Sequence, residues 1–489
     1  MGILSLLLWL PALSALVLSF FANHQHSAIR GLSCCVLTAE LAITGWLLLQ
    51  FDPLNPSAQF SEYLPLSPKF GSTYALGVDG LSLPMAVLTS ALSLLAWLVS
   101  DSIKKHIKSY YICFLLLNFG VLGVFLAQDW AVFYICWETS LICLFFLLNR
   151  WGGKNRHQAS LSFALYTMAG SIFMLISLIA VYEYVPEHSS LLSSMYYVSK
   201  YMPENLQIWA LLGFLLGFGV QLPVFPMHGW LTLALEEAPI PAGILLAGVV
   251  LNMGAYGLLR VVPSFPEAVH SLQPLLMVLA FFGMLYGGLL AWRQTTLKAM
   301  LAYSCISQMS VVLLGIASLN RIGLTGAFLQ MAAHGILAAA LWLLAGSLGE
   351  HAGLLRLPDY GSLIRLMPRF AGCAILLLFA AMGLPGSLNF AAQLHAFIGG
   401  YLQWGGLAMV CLSLSWLISA AYLLRTMLLL FTGPDTNRQI SVTDLNTKEL
   451  LAAGLLSAII IGFGFWPQLI TALSQNALNK IHQQISAPF

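Results

Sequence analysis

The stretch GVQLPVFPMHGWLTLALEEAPIPAGILLAGVVLNMGAYGLLR (219–260) decides the fold of this chain. Its apolar opening meets Pro223 and Pro226, and proline both removes a backbone donor and clashes with the preceding helical turn. Two prolines inside an apolar run therefore predict a broken membrane helix. Non-helical backbone at membrane depth is tolerated only where protein buries it or water lines it. Because His228 and the acidic pair Glu236–Glu237 follow the break, the stretch favours an ion path over lipid-facing scaffold.

The composition around this stretch excludes an ordinary soluble protein. The chain has 489 residues, of which 59% are apolar and 8% are charged, whereas soluble proteins carry roughly 25% charged residues. The net charge of +2 gives no indication of nucleic-acid binding. The sequence has no Walker motif, no G-x-G-x-x-G and no metal-ligand cluster, and its eight cysteines fall in apolar runs. We interpret the cysteines as packing residues and predict neither a cofactor nor a metal in this chain.

Apolar runs long enough to cross a membrane recur along the whole chain, since a span needs about 20 such residues. We number them as spans 1–14, and they cover 3–21, 32–49, 81–99, 110–126, 130–148, 160–182, 208–225, 243–261, 274–292, 299–316, 324–348, 371–402, 406–431 and 449–473. The sequence therefore predicts an all-α polytopic membrane protein with 14 transmembrane helices.

Lysine and arginine divide unevenly between the two sides of the predicted bundle. With the N-terminus outside, the inner loops hold 14 basic residues, the outer stretches hold 5, and Arg425 lies within span 13. The inner residues are Arg30, Lys104, Lys105, Lys108, Arg150, Lys154, Arg156, Arg293, Lys298, Arg356, Arg365, Arg369, Arg438 and Lys448. The outer residues are Lys69, Lys200, Arg260, Arg321 and Lys480. Inner loops carry the basic excess, so the asymmetry supports an even number of spans with both termini outside.

A second interruption repeats the first one in the opposite orientation. Leu222–Pro223 breaks span 7, and Leu384–Pro385 breaks span 12, five spans later. Five is odd, so the two units cross the membrane in opposite directions, and paired broken helices indicate a transporter's ion site. We predict two inverted five-helix repeats with flanking helices. The predicted units are 1–109 (spans 1–3), 110–261 (spans 4–8), 262–431 (spans 9–13) and 432–489 (span 14).

Four ionisable residues inside or beside the spans are candidates for a proton relay. Glu138 lies near the middle of span 5, where a lone carboxylate is costly unless it is paired, hydrated or protonated. His228 follows the first break, His334 lies in span 11, and His395 follows the second break. Histidine takes up and releases protons near neutral pH. The alternatives are a protonated structural glutamate and packing histidines.

Several other charged residues leave their role open. The pair Glu236–Glu237 belongs either to the path or to a solvated inner loop. Lys298 begins span 10 and could equally extend to the inner surface. Glu40 lies mid-span in span 2, outside the repeats, where it is either protonated or paired with another subunit. Arg425 needs a carboxylate or backbone partner.

Motifs throughout spans 3–12 resemble one family of membrane subunits. The matching stretches are LGVDGLSLPMAVLT (76–89), FLAQDWAVFYICWE (125–138), RWGGKNRHQASLSFALYTMAGS (150–171), LPVFPMHGWL (222–231), EAPIPAGILLAGVVLNMGAYGLLR (237–260), LKAMLAYSCISQM (297–309) and GLPGSLNF (383–390). They resemble the proton-pumping antiporter-like subunits of respiratory complex I, the family that includes NuoM and the Mrp antiporter subunits. Within the family, the RWGG and LGVDGLS stretches resemble its NdhD (chain 4) branch, from the photosynthetic NAD(P)H dehydrogenase-like complex of cyanobacteria and chloroplasts.

The resemblance implies a translocase subunit in the membrane arm of a ferredoxin/NAD(P)H–plastoquinone oxidoreductase of the thylakoid membrane, with both termini on the lumenal side. This chain would move protons, while electron transfer would occur elsewhere in the complex. Its partners would be other membrane-arm subunits, including a second antiporter-like subunit, and the lipid bilayer. By position, Glu138, His228, Glu237, Lys298 and His334 match functional residues of the family.

The chain departs from the family where lysines are expected. Gln221 replaces the span 7 lysine, Asn252 replaces the span 8 lysine, Gln393 replaces a charged residue after the second break, and Ser162 replaces a lysine common in span 6. Amides cannot change charge, and they can only hold water in a hydrogen-bonded file. Without the span 7 cation, Glu138 is expected to be neutral more often. The losses favour a specialised form, and we interpret it as the one in carbon dioxide-uptake complexes.

Three hypotheses about function follow. The first is a proton-translocating subunit whose path contains Glu138, Gln221, His228, Glu237, Asn252, Lys298, His334, Gln393 and His395. The second is a proton-silent structural subunit that preserves the fold and docks its neighbours. The third is a stand-alone cation/proton antiporter of the Mrp type.

Overall fold

The computed structural model describes residues 2–67, 71–353, 356–432 and 442–486, so Lys69 and Arg438 lie outside the described residues. Its helices are α1 (Ile3–Ser19), α2 (His26–Gln50), α3 (Ser82–Leu98), α4 (Ile107–Leu126), α5 (Trp130–Trp151), α6 (Arg156–Tyr182), α7 (Leu192–Met195), α8 (Glu204–Gln221), α9 (Gly229–Glu237), α10 (Ile240–Leu245), α11 (Leu251–Val261), α12 (Pro266–Arg293), α13 (Leu297–Ala317), α14 (Arg321–Ala352), α15 (Leu363–Leu366), α16 (Pro368–Ala381), α17 (Leu388–Phe431), α18 (Thr447–Phe465) and α19 (Gln468–Ser486). The strands are β1 (Gln59–Ser67) and β2 (Ser72–Val78).

The predicted all-α membrane bundle is confirmed. Among the described residues, 10 helices are long and apolar enough to cross a membrane, and α1, α3 and α16 are shorter apolar helices. Helices α8 and α9, on either side of the first break, together form predicted span 7 and complete the set of 14 predicted spans. Gly405, with φ 73° and ψ −158°, kinks α17 between the second half of span 12 and span 13.

The first predicted break, at Pro223 and Pro226, is present and its backbone is satisfied by protein. Helix α8 ends at Gln221, and α9 begins at Gly229. The Trp230 indole Nε1 donates to the Val220 carbonyl at 3.0 Å and so occupies an acceptor that the interrupted helix leaves. A side chain thereby supplies the hydrogen bond that lipid could not.

The second predicted break, at Pro385, is also present. Helix α16 ends at Ala381 and α17 begins at Leu388. The Asn389 Nδ2 atom donates to the carbonyls of Ala380 and Ala381, at 3.2 and 3.1 Å. The Trp416 Nε1 atom donates to the Met382 carbonyl at 2.8 Å. At both interruptions, a tryptophan indole from a neighbouring segment thus donates a hydrogen bond to a backbone carbonyl, and at the second one an asparagine amide does so too.

The connections between helices alternate between two ends of the bundle. We call the end that carries the β1–β2 hairpin, residues 59–78, the hairpin end; there the Glu62 carboxylate accepts from the Leu4 amide at 2.7 Å. We call the opposite end the basic end, where Arg30 pairs with Asp101 at 3.1 Å and Lys108 Nζ donates to the Phe21 carbonyl at 2.8 Å. The predicted loops follow this alternation. The division into four units stays a prediction.

Three features differ from the sequence prediction. Span 14 was predicted as 449–473, and that boundary is wrong: α18 ends at Phe465 and the separate α19 begins after Pro467, which cannot continue a helix. The antiparallel hairpin in the outer stretch 50–80 was not predicted. A π-helical segment, Leu246–Val250, interrupts span 8 between α10 and α11.

The helices at the centre of the bundle are enclosed by protein. In the segment Ile240–Ser264 and in α14, the apolar 18-residue stretch that could cross a membrane is fully buried, and in α13 that stretch is 94% buried. By contrast, only 33% of the corresponding stretch is buried in α6 and in α18. Polar side chains on the central helices therefore face other protein groups, which is where an ion path is tolerated.

Candidate functional site: a polar axis between the two breaks

The axis begins at Gln221, the last residue of α8. Its side chain is buried, and Nε2 donates to the Val250 carbonyl at 3.2 Å. Val250 ends the π-helical segment, whose wider turns leave carbonyls open to side chains. The Gln221 Oε1 atom is buried without a hydrogen-bond partner among the described residues.

Asn252 extends the axis from α11 to α14. It is fully buried, and its Nδ2 donates to the carbonyls of Gly248 and Met331, both at 3.0 Å. Gly335 makes this approach possible, since a Cβ there would lie 3.1 Å from Asn252 Nδ2 and 2.6 Å from the Gly248 carbonyl oxygen. Gln221 and Asn252, the two amides at which the resemblance predicts lysines, are therefore both bonded to backbone carbonyls.

His334 lies next to this contact on α14. It is 3% exposed, and its Nε2 is buried without a hydrogen-bond partner in the described part of the chain. Asn252 contacts Met331 and Gly335, which flank His334 on the same helix. His334 therefore lies beside the amide axis and has an open ring nitrogen.

Beyond His334, the axis continues as a cluster of four amides. Gln330, one turn before His334, donates to Gln308 Oε1 at 2.9 Å and to Asn389 Oδ1 at 3.1 Å. Gln393 donates to the same Gln308 oxygen at 2.9 Å. Because Asn389 also bonds to the carbonyls of the second break, the cluster reaches that break directly. We call the row Gln221–Asn252–His334–Gln330–Gln308–Gln393 the polar axis. It lies between the two interruptions, and side-chain hydrogen bonds join its last three members directly.

Sequence reasoning found Gln221, Asn252, His334 and Gln393 but missed Gln308, Gln330 and Asn389. The available signal was an uncharged amide in the middle of an apolar span, which is costly unless it is hydrogen-bonded. Gln330 in particular precedes His334 by one helical turn, so the two share a face.

Glu138 lies apart from this axis. It is half-buried on α5, and its Oε1 is buried without a partner among the described residues. The Tyr134 hydroxyl, one turn earlier, interacts with both Glu138 and Ser171. No hydrogen bond or ion pair in the described structure joins Glu138 to Gln221, the position at which the resemblance predicts a partner lysine.

His228 packs among aromatic rings beside the first break. Its ring centroid lies 5.8 Å from that of Phe225 and 5.1 Å from that of Tyr286. The buried Nδ1 atom has no hydrogen-bond partner in the described residues. The contacts fit the packing alternative as well as the relay.

Glu237 and Lys298 belong to a charged cluster at the basic end. The Glu237 carboxylate accepts from the Asn155 backbone amide at 3.0 Å and from Asn155 Nδ2 at 3.2 Å. Lys298 interacts electrostatically with Glu237 and Glu236. These three ionisable groups therefore lie together at the basic end.

His395 faces away from the amide cluster. It lies two residues after Gln393, so it projects from a different side of α17, and its Nδ1 lies 2.7 Å from the Ala391 carbonyl. Together with Arg321 and His482, it lines a recess of about 630 Å³ at the hairpin end. The structure therefore places it at a mouth of the bundle.

Two arginines have partners that the sequence could not assign. Arg425 Nη1 donates to the carbonyls of Trp292 and Gln294, at 2.7 and 3.2 Å, so its partner is backbone. Arg260 was predicted as a charge of the outer stretches, but it forms a buried two-pronged ion pair with Asp79 at 2.6 and 2.7 Å. Burial alone would raise the pKa of Asp79, but the Arg260 guanidinium and the backbone amides of Leu81 and Ser82 together hold that pKa below its ordinary value.

Known proteins resemble this chain over nearly its whole length. The chain is 32% identical to NAD(P)H-quinone oxidoreductase chain 4-1 of Synechocystis, covering 98% of this chain and 93% of that protein. It is 35% identical to the chain 4 1 protein of Picosynechococcus (94% and 88% covered) and 33% identical to NADH-quinone oxidoreductase subunit M of Rickettsia conorii (96% of each).

Solved structures share the fold. A chain of respiratory complex I from Thermus thermophilus superposes with a TM-score of 0.89 at 28% identity, covering 99% of this chain and 100% of that one. A chain of the Mrp complex from Dietzia superposes with a TM-score of 0.87 at 19% identity, over 99% and 98%. The sequence profile described as "NADH:quinone oxidoreductase/Mrp antiporter, TM" matches residues 127–419. The resemblance found from the motifs is confirmed, and the chain belongs to this family of antiporter-like membrane proteins.

Proposed function

We propose that this chain is the antiporter-like, proton-translocating subunit of a photosynthetic complex I-type quinone oxidoreductase, and that it carries no redox chemistry itself. The polar side chains from Gln221 to Gln393, which lie between two broken helices and on largely buried helices, carry this proposal. The relatives named as quinone oxidoreductase chains support membership of such a complex. Its partners would be other membrane-arm subunits, including a second antiporter-like subunit.

The unpartnered atoms of the axis support water-borne proton movement. Gln221 Oε1, Asn252 Oδ1, His334 Nε2 and Gln393 Oε1 are buried without partners among the described residues. Each such group costs about 1–3 kcal/mol unless something bonds to it, and buried water bonds to groups of this kind. Amides would hold that water, and His334 would accept and release the proton.

The entrance and exit follow from the charged groups at the two ends. The cluster of Glu236, Glu237 and Lys298 would exchange protons at the basic end. The recess lined by His395 would exchange them at the hairpin end. Glu138 and His228 would act beside the axis, and the break residues Pro223, Pro226 and Pro385 would keep it open. The location would be the thylakoid membrane, with both termini in the lumen.

A second candidate, a proton-silent structural subunit, is favoured by one observation. Gln308, Gln330, Gln393 and Asn389 bond directly to one another, so the second half of the axis is held by protein contacts. The carbon dioxide-uptake form stays a prediction from the replaced lysines. Co-purification with quinone-reducing subunits would rule out the stand-alone antiporter.

Replacing His334 separates the two candidates. The His334→Gln variant keeps a polar side chain but cannot bind an extra proton, so quinone-coupled proton uptake by vesicles should fall severalfold while the complex still assembles. His270→Gln, at an exposed site on α12, is the matched control and should pump normally. Unchanged pumping in an assembled His334→Gln complex would support the proton-silent subunit.

A further inference from the structure

Glu40 is a buried carboxyl that the polar axis does not use. It lies in the middle of α2, outside both predicted repeats, and none of its surface is exposed. The Asn118 Nδ2 atom of α4 donates to its Oε2, and the Ser93 hydroxyl of α3 donates to Asn118 Oδ1 at 2.9 Å. The second carboxyl oxygen, Oε1, is buried and has no hydrogen-bond partner among the described residues.

No positive charge lies close enough to stabilise an ionised Glu40 in the described part of the chain. The neighbouring helices α1 and α3 carry no ionisable side chain. The ionisable residues of α2 and α4 are His26, Arg30, Cys34, Cys35, Lys108, Tyr110, Tyr111 and Cys113. Arg30 lies 10 residues from Glu40, and Lys108 lies 10 residues from Asn118, which is about 15 Å along a helix. Both cations are engaged at the basic end.

We propose that Glu40 is a proton-binding site separate from the polar axis. An unpaired, ionised carboxylate is so costly in an apolar interior that the group takes up a proton instead. The proton passes from a hydronium ion to Oε1, leaving water and a neutral carboxylic acid, and the reverse transfer releases it. This site gives the chain a membrane-embedded proton carrier in the three helices that precede the first repeat.

The hydrogen bonds around Glu40 can transmit its protonation state. In the arrangement present, Asn118 donates to Glu40 and accepts from Ser93. With a proton on Oε1 and the carboxyl turned so that this O–H faces Asn118, the rotated amide is also satisfied: Asn118 Oδ1 then accepts from Glu40, and Nδ2 donates to the Ser93 hydroxyl. Leu92, next to Ser93, packs against the π-helical segment, since a Cβ on Gly248 would lie 2.6 Å from its side chain. Glu40 is therefore one helix away from the carbonyl that binds Asn252.

Infrared difference spectroscopy of the intact complex in membranes tests this site directly. The Glu40→Gln variant preserves size and neutral charge, so it should assemble and lose one carbonyl band of a protonated carboxylic acid. That band should shift in D₂O because the proton exchanges. The matched control, Glu183→Gln at an exposed site, should lose only ionised-carboxylate bands. The measurement needs no quinone turnover, so it stands apart from the proposed function.

Two results would overturn the proposal. One is loss of ionised-carboxylate absorption in Glu40→Gln, which would show a charged group. The other is a protonated-acid band that stays unshifted after prolonged D₂O exchange, which would show a sealed structural acid. If Glu40→Gln does not assemble, the Asn118→Leu variant is measured instead. Removing the amide that donates to Glu40 should shift the same acid band, and an unchanged band would contradict the proposed proton-binding site.

Discussion

Single side chains determine what the polar axis can transport. Where lysines would supply mobile charge, Gln221 and Asn252 supply only fixed dipoles bonded to carbonyls. His334 is the one titratable residue among the six of the polar axis, and its Nε2 has no hydrogen-bond partner among the described residues. A proton on this axis therefore needs water at the amides and a histidine in the middle. Among the axis residues, replacing His334 is thus expected to lower proton uptake the most.

Gln308 should matter for stability as much as for transport. Its Oε1 accepts from both Gln330 and Gln393, at 2.9 Å each. Gln308→Leu leaves these buried donors with one bond fewer, and each unsatisfied group costs about 1–3 kcal/mol. Thermal unfolding of the purified complex should show a lower midpoint for this variant. Gln483→Leu, at an exposed site on α19, is the control; equal midpoints for the two variants would refute the shared-acceptor role.

The individual residues show how far a sequence can predict a site. Gln221, Asn252 and Gln393 were predicted because the family resemblance implies charged residues at these three positions. Gln308 and Gln330 were missed because helices α13 and α14 carry apolar residues on every side, so periodicity gave no inward direction. Asn389, on α17, was missed because its partners, the carbonyls of Ala380 and Ala381, are brought to it by the second break. The ion pair of Arg260 was missed because its partner, Asp79, lies far away in sequence.

Elements of the bundle owe their shape to proline chemistry and to close packing. The two broken helices were predictable, since an interior proline kinks or breaks a helix and each break combines proline with a second proline or with glycines. Single prolines, Pro11 in α1 and Pro274 in α12, leave their helices continuous. The π-helical segment was not predictable, since its carbonyls at Val250 and Gly248 accept hydrogen bonds from side chains outside it, Gln221 of α8 and Asn252 of α11. The end of α18 was misplaced because a run of apolar residues does not stop at Pro467, although the helix does.

The packing of α14 on the π-helical segment predicts a strong effect for Gly335→Ala. The added Cβ would lie 2.6 Å from the Gly248 carbonyl oxygen, 2.7 Å from the Leu88 side chain and 3.1 Å from Asn252 Nδ2. Overpacking of this kind costs about 1–3 kcal/mol. Stability against thermal unfolding should fall, and proton uptake should fall with it. Gly454→Ala on α18 meets nothing within 4 Å and should behave as wild type; a similar loss in both variants would contradict the close approach.

The ion pair between Asp79 and Arg260 joins the hairpin end to α11. Asp79→Asn leaves a buried guanidinium unpaired, which costs about 3–5 kcal/mol. Asp101→Asn is the matched control, because its pair with Arg30 is exposed and such pairs contribute only about 0–1 kcal/mol. Limited proteolysis of the hairpin should be faster in Asp79→Asn alone. Equal cleavage of the two variants would show that the pair does not hold the hairpin.

The same ion pair makes a prediction about pH. The folded pKa of Asp79 lies below its ordinary value, so the stabilisation is fully present above the unfolded pKa of about 3.9. It is lost only as the pH falls through the lowered folded pKa. Hairpin protection should therefore stay constant from neutral pH down to about pH 5. A loss of hairpin protection near pH 6 that occurs in the wild type and not in Asp79→Asn would contradict the lowered pKa of Asp79.

At the scale of the whole molecule, the sequence predicted the membrane class, the two-ended alternation of loops and both interruptions. Those features depend on composition and proline, which act locally. The enclosure of α13 and α14, and the path between the breaks, depend on contacts among distant segments. The family resemblance connects the sequence to the fold, because relatives at 28–32% identity share the architecture over nearly the whole chain.

The central claim is that a hydrated polar axis joins the two broken helices. A high-resolution map of the assembled complex tests it most directly. The account predicts ordered water bonded to Gln221 Oε1, Asn252 Oδ1, His334 Nε2 and Gln393 Oε1, in a file that connects them. Unbroken helices through residues 222–228 and 382–387, or apolar side chains packed against these four atoms with no water, would contradict it.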